Sequence, residues 1–164
     1  MKKYLILFAT MMMMMSLAGC VTDPPTYYFN AAELKENVIK IELVDFVNEK
    51  PAIVIVDDNT MLSINMANAT LIKELNNEEV NSFIEDLSTI TFHVENKSVN
   101  SPLGHTVIMY MKNQEIAVLS CTVVDGLGYS MAAVFTVEGE FVEHIANFAD
   151  EPKFREILEK YFDI

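Results

Sequence analysis

The segment TVIMYMKNQEIAVLSCTVV, residues 106–124, gives the clearest indication of the fold. Two apolar segments, 106–111 and 115–124, lie on either side of the polar turn 112–114. Two such segments around a turn of three residues are typical of a β-hairpin. Because a parallel crossover needs a much longer connection, this pair predicts an antiparallel sheet.

Apolar segments on both sides of this hairpin predict more strands. Residues 38–46 alternate, with Ile39, Ile41 and Leu43 on one face and Lys40 and Glu42 on the other. The β-branched run 52–56 follows a polar break, so we expect it to pair with 38–46 as an antiparallel hairpin. The remaining predicted strands are 70–75, 90–94, 130–137 and 141–148.

Two segments have apolar residues at helical spacing. A helix that is capped by Asn76 or Asn77 and another that is opened by Glu151-Pro152 are expected to pack one apolar face each. A shorter capped turn is expected after Asn30. The apolar positions are Val80, Phe83, Ile84 and Leu87 in the first helix, and Phe154, Ile157, Leu158 and Tyr161 in the second. The chain is therefore predicted to form one α+β domain over 30–164, a mostly antiparallel sheet with two amphipathic helices on one face.

The amino-terminal segment has the layout of an export signal. Lys2 and Lys3 precede an uncharged run of 16 residues that ends at Gly19, which is shorter than the roughly 20 residues of a membrane-spanning helix. The four residues that follow the methionine-rich run, Leu17-Ala18-Gly19-Cys20, resemble the bacterial lipobox. This resemblance covers the first 20 residues alone. It implies a signal peptide at 1–19, cleavage between Gly19 and Cys20, and a diacylglyceryl group on the Cys20 thiol.

A lipidated Cys20 predicts the location of the protein. Two or more acyl chains hold a protein firmly on a bilayer, so we expect it to be exported and anchored to the outer face of a bacterial membrane in the cell envelope. Residues 20–29 are interpreted as the lipidated cysteine and a tether. Three aromatic residues end this segment, Tyr27, Tyr28 and Phe29. We expect them to fix the chain's entry into the domain by packing on its core, with contact to headgroups or to a partner as the alternative.

Charge restricts the class of partner. Removal of the signal takes away two of the 11 basic residues and none of the 24 acidic ones, so the net charge falls from −13 to −15. Nucleic-acid binding needs clustered lysine and arginine, and we therefore expect no nucleic-acid partner. A strongly acidic surface is explained by solubility alone, or by a cationic partner or ion.

Few residues suggest catalysis or metal binding. His93, His105 and His144 are far apart in the sequence, and none lies at ligand spacing from another histidine or from Cys121. Cys121 lies in an apolar run and is interpreted as a buried small side chain. We expect no catalytic residue, no metal site and no cofactor.

The sequence favours a non-enzymatic envelope lipoprotein that binds an unknown ligand, for which a protein or peptide is one candidate. The first alternative is a small enzyme or metal-binding protein whose site combines dispersed residues such as His105, His144 and Asp125. The second alternative is a structural component of the envelope. Two histidines beside a carboxylate in a pocket would favour the enzyme, whereas an exposed apolar sheet face would favour a protein partner.

Overall fold

The computed structural model describes residues 26–46, 53–55, 62–93, 104–124, 127–148 and 151–163. Within these ranges the helices are α1 (Ala31–Asn37), α2 (Asn77–Leu87) and α3 (Glu151–Phe162), with a 3₁₀ turn at Met66–Asn68. The strands are β1 (Thr26–Tyr27), β2 (Val38–Phe46), β3 (Ile53–Ile55), β4 (Leu62–Ile64), β5 (Ala69–Glu74), β6 (Phe92–His93), β7 (Gly104–Met111), β8 (Glu115–Val124), β9 (Leu127–Thr136) and β10 (Phe141–Phe148).

Eight strands form one sheet in the order β1-β6-β10-β9-β8-β7-β2-β5, and its pairings are antiparallel. The predicted hairpin is β7–β8, with Thr106 opposite Ser120 and Tyr110 opposite Ile116. The α+β class, the mostly antiparallel sheet and the packing of two amphipathic helices on one face are confirmed.

The larger core lies between the sheet and the helices, on what we call the helix face. Phe83 of α2 is fully buried, and its ring makes edge contacts with Tyr161 and Phe162 of α3 at centroid distances of 5.4 and 5.9 Å. Burial of each large apolar side chain contributes about 1.5–3 kcal/mol, so these contacts fix both helices to the sheet. The buried apolar positions predicted for α2 and α3 lie in this core, except that Val80 is half-buried at its margin.

The opposite face of the sheet carries a second, smaller core, and we call it the hairpin face. Ile64 of the β3–β4 hairpin packs there against the central strands. Strands that are buried on both faces have nearly continuous apolar sequences, which explains why 106–124 does not alternate. The other buried residues of this core are Val44, Phe46, Ile108, Ile116, Val118, Ala133 and Phe135.

A β-bulge in β2 changes one predicted core position. Val38 pairs with Met111 and Lys40 with Tyr110, so Ile39 is an extra residue on β2. Ile39 is 60% exposed, and Val38 takes its place in the core on the helix face. The prediction that Ile39 lies in the core was therefore wrong, whereas those for Ile41 and Leu43 are confirmed.

The predicted pairing of 38–46 with 52–56 was also wrong. β2 lies between β5 and β7 in the large sheet, whereas β3 pairs with β4 in a separate hairpin. The long register of β2 with β7 buries apolar side chains on both faces of the sheet, which a pairing with the three-residue strand β3 would not do.

The described chain enters the fold before residue 30, where the domain was predicted to begin. Thr26 and Tyr27 pair with His93 and Phe92, which makes β1 the edge of the sheet next to β6. Phe29 is 6% exposed, and its ring centroid lies 5.0 Å from that of Phe92. The predicted role of Phe29 in fixing the chain's entry is therefore confirmed.

Candidate functional site

The histidines proposed for a dispersed site lie on strands that are not neighbours. His144 of β10 pairs with Ala133, which pairs with Val118, which pairs with Ile108 of β7. Three strand spacings of about 4.8 Å put β7 roughly 14 Å from β10. His105 is exposed and lies a further three residues along β7. The two histidines are therefore not brought together.

The other predicted positions add no site. Asp125 and the residues of the predicted signal and lipid attachment, 1–20, lie outside the described ranges. The backbone of Cys121 pairs with Ser130 in the middle of the β8–β9 register, as expected for a strand residue. Among the described residues, no group of three or more His, Cys, Asp or Glu side chains is placed to hold a metal ion.

An open cleft of about 300 Å³ lies on the helix face, between α1 and residues of five strands, β1, β7, β8, β9 and β10. Its floor is a row of residues that are neighbours across three strands, namely Glu143 of β10, Val134 of β9 and Ala117 of β8. Alanine is the small residue of this row, so the floor is low where β8 crosses it. Tyr27 and Phe29 form an aromatic wall.

Helix α1 forms the other wall of the cleft and is too short to cover it. The Asn30 side chain caps its first turn by accepting hydrogen bonds from the amides of Ala32 and Glu33. The helix ends after seven residues because the chain continues directly into β2. Leu34 is its one buried residue, which leaves Glu33 and Asn37 of α1 to line the cleft.

The cleft has a negative potential. Its lining includes the carboxylates of Glu33, Glu115 and Glu143, and no lysine or arginine is among the described residues that line it. Asn113 donates a hydrogen bond from Nδ2 to Oε2 of Glu115 at 2.7 Å, which holds this carboxylate in place. The sequence contains no local signal for this set, because the three glutamates are far apart along the chain.

The negative charge of the cleft also affects the pKa of the Tyr27 hydroxyl group. Burial raises the pKa of Tyr27, and the negative charges of Glu33 and Glu143 raise it further. The phenol therefore remains neutral beside the cleft, where it is available as a hydrogen-bond donor and acceptor. The arrangement suits a ligand with a positively charged group that also contacts aromatic rings.

A second polar group lies on the hairpin face but is closed to ligands. Glu42 is 9% exposed and accepts hydrogen bonds from Lys40 Nζ at 2.8 Å and from the Tyr110 hydroxyl at 2.7 Å. Lys40 Nζ also lies 4.0 Å from the centre of the Tyr110 ring. Burial raises the pKa of Tyr110, as do the hydrogen bond and charge of Glu42 and the charge of Glu74. These partners satisfy one another, so the group stabilises the sheet and offers no open site.

Comparisons of the chain with protein-family models, with curated proteins and with solved structures give no match. In the part of the chain that the structure describes, none of the helices is long and apolar enough to cross a bilayer. The longest is α3, with 12 residues.

Proposed function

We propose that this protein is a bacterial cell-envelope lipoprotein that binds a positively charged ligand without catalysing a reaction. Its lipid anchor is the diacylglyceryl group on Cys20, and its signal peptide is cleaved after Gly19. The support for the anchor is the lipobox resemblance of Leu17-Ala18-Gly19-Cys20, together with the basic start and the uncharged run before it.

The observation that carries the binding function is the acidic cleft. A volume of about 300 Å³ is at the lower end of the range for sites that bind small ligands or single side chains. An ammonium group 4 Å from a carboxylate gains about 4 kcal/mol at an effective dielectric constant of 20, before desolvation is subtracted. The net charge of the full chain is −13, and cleavage of the proposed signal peptide makes it −15, which draws cationic ligands toward the protein.

The preferred ligand is therefore an amine or guanidinium group, such as a basic side chain of a peptide. The alternative of an enzyme built on His105 and His144 has less support, since these residues lie on strands separated by two others. No described feature favours a purely structural role over binding, whereas the cleft favours binding.

Lipid attachment is tested with the two cysteines of the chain. In bacteria that are fed radiolabelled palmitate, Cys20→Ala should abolish labelling and move the protein out of the membrane fraction. The matched control is Cys121→Ala, which should remain labelled and bound to membranes. Labelling that survives in Cys20→Ala would refute the anchor.

The binding site is tested by removing the charge of its carboxylates. A variant that combines Glu33→Gln, Glu115→Gln and Glu143→Gln should bind tri-lysine or tri-arginine peptide at least about tenfold more weakly, a loss of about 1.4 kcal/mol, as measured by calorimetry. The control combines Glu36→Gln, Glu138→Gln and Glu159→Gln, which are exposed, lie outside the cleft and change the net charge equally. Equal losses in both triple variants would show that general attraction, and not the cleft, binds the peptide.

A further inference from the structure

The proposed lipid anchor is attached close to one edge of the sheet. Six residue steps separate Cys20 from Thr26 of β1, so the anchor lies at most about 20 Å from that strand. β5 forms the opposite edge, seven strand spacings or roughly 34 Å away. Cys20 therefore lies within reach of the β1 edge and at least about 14 Å from the β5 edge.

Two tyrosines are exposed at the β1 edge. Tyr28 is 54% exposed, and Tyr27 is 36% exposed. The Tyr27 ring makes edge contacts with the buried rings of Phe29 and Phe92, at centroid distances of 5.3 and 6.3 Å. Thr91 Oγ1 donates a hydrogen bond to the Tyr28 hydroxyl at 3.3 Å. Both aromatic side chains are thus positioned by the fold at the edge nearest the anchor.

We propose that the β1 edge, through Tyr27 and Tyr28, rests in the headgroup region of the bilayer, so that the domain stands on the membrane with β5 outermost. This orientation depends on the lipid anchor of the proposed function. Tyrosine favours the interface between membrane and water because its ring is apolar and its hydroxyl is polar. A short tether also gives the edge a local concentration in the millimolar range, which makes a weak contact frequent.

The acidic residues near the β1 edge determine which groups can contact the bilayer. Glu33 and Glu143 line the same cleft as Tyr27, and no lysine or arginine is among the described residues of that lining, so this part of the edge does not attract anionic lipid. The tyrosine rings therefore supply the contact, and its area is small. Because Tyr27 also lines the acidic cleft, the same orientation places the cleft beside the bilayer surface.

The orientation is tested with single tryptophans, because the chain contains none. Full-length lipidated protein with Tyr28→Trp is reconstituted in phosphatidylcholine vesicles that carry a spin label near the top of the acyl chains. The matched control is Leu71→Trp on β5, where the native side chain is also 54% exposed. The Tyr28→Trp variant should lose fluorescence and shift its emission to the blue, whereas Leu71→Trp should show neither change.

Flotation of the vesicles separates the two proposals. If both variants float and Tyr28→Trp is quenched no more than Leu71→Trp, the orientation is wrong and the anchor stands. If neither floats, the anchor fails and the orientation fails with it. A second reporter, Tyr27→Trp, should be quenched like Tyr28→Trp, and quenching of Leu71→Trp alone would reverse the orientation.

Discussion

Two separate features of the structure require glycine at position 139. Its φ of +93° is a conformation that residues with a side chain rarely adopt. A Cβ atom at this position would lie 2.2 Å from the carbonyl oxygen of Ile64, and the amide of Ile64 donates to the Gly139 oxygen at 2.8 Å. The turn between β9 and β10 therefore also serves as the docking point of β4.

We predict that Gly139→Ala destabilises the fold more than Gly104→Ala does. Gly104 also has a positive φ, of +66°, but the nearest atom to its added Cβ would be Asp45 Oδ1 at 3.9 Å. The backbone strain of about 1–2 kcal/mol is common to both variants, and Gly139→Ala must in addition move β4. Urea unfolding measures the difference, which should be at least about 1 kcal/mol. Equal losses would mean that β4 contributes little to stability.

For single residues, the sequence predicted burial correctly where the apolar pattern depends on one segment alone. Phe83, Ile84 and Leu87 followed helical spacing and are fully buried. Ile39 followed strand alternation but lies at a bulge, which depends on the partner strand and not on its own segment. Asp86 is not one of the apolar positions that the spacing defines, yet it accepts hydrogen bonds from α3, an element distant in sequence.

The stability of the first turn of α2 depends on one residue, Asn76. The Asn76 side chain accepts from the amides of Glu78 and Glu79, and the Glu79 carboxylate accepts from the Asn76 amide at 2.9 Å. This reciprocal capping box decides between the two asparagines that the sequence left open, since Asn76 is the cap and Asn77 is the first helical residue.

We predict that Asn76→Ala lowers the free energy of unfolding by about 1 kcal/mol, because two amides of the first turn lose their acceptor. The neighbouring variant Asn77→Ala should change it by less than about 0.5 kcal/mol, since Asn77 is exposed and alanine favours helices. Chemical denaturation of both variants makes the comparison. A larger loss for Asn77→Ala would contradict the assignment of the cap.

The contact between α2 and α3 includes a carboxylate whose titration should be measurable. Asp86 Oδ2 accepts hydrogen bonds from Lys160 Nζ at 2.6 Å and from the Tyr161 hydroxyl at 2.7 Å. Burial, the largest single contribution, raises the pKa of Asp86, but these hydrogen bonds and the charge of Lys160 together lower it below its ordinary value of 3.8. The ionised form is therefore favoured in the folded state.

A lowered pKa in the folded state stabilises the protein above pH 4, and this stabilisation is lost as the pH falls through the folded value. Asp86→Asn should therefore cost up to about 1 kcal/mol at pH 7, a value kept small because the pair is partly exposed to solvent. The difference from the unmodified protein should shrink as the pH falls below 3.8. Thermal unfolding at pH 7 and at pH 2.5 tests this, with Glu159→Gln on the exposed side of α3 as the control. A difference that is equal at both pH values would contradict the assignment.

Among the structural elements, the helices were easier to predict from the sequence than the pairing of the strands or the residues of the cleft. The positions of α2 and α3 follow from periods within one segment, whereas the neighbours of β2 depend on competition among strands far apart in sequence. The cleft combines α1 with residues of five strands, and its three glutamates share no local spacing. Alternation places Glu115 and Ala117 on one face of β8, but only the register brings Glu143 beside them.

At the level of the whole molecule, the described residues form two apolar cores that share the same central strands. Ala117 and Leu119 of β8 face the helices, whereas Ile116 and Val118 face the β3–β4 hairpin. Because each central strand contributes to both cores, loss of one core should weaken the pairing on which the other depends. The domain, which spans 26–163, is also below the size of about 150 residues under which most single domains unfold in one cooperative step.

We predict that Phe154→Ala on α3 weakens both faces equally. The side chain is fully buried on the helix face, so its removal should lower the free energy of unfolding by about 3–5 kcal/mol. Native-state hydrogen exchange should show the same loss at the amide of Phe83, on the helix face, and at the amide of Ile64, on the hairpin face. The exposed neighbour provides the control, since Arg155→Ala should leave both amides unchanged. If Ile64 keeps its protection in Phe154→Ala while Phe83 loses it, the hairpin face unfolds independently, and the shared strands do not couple the two cores.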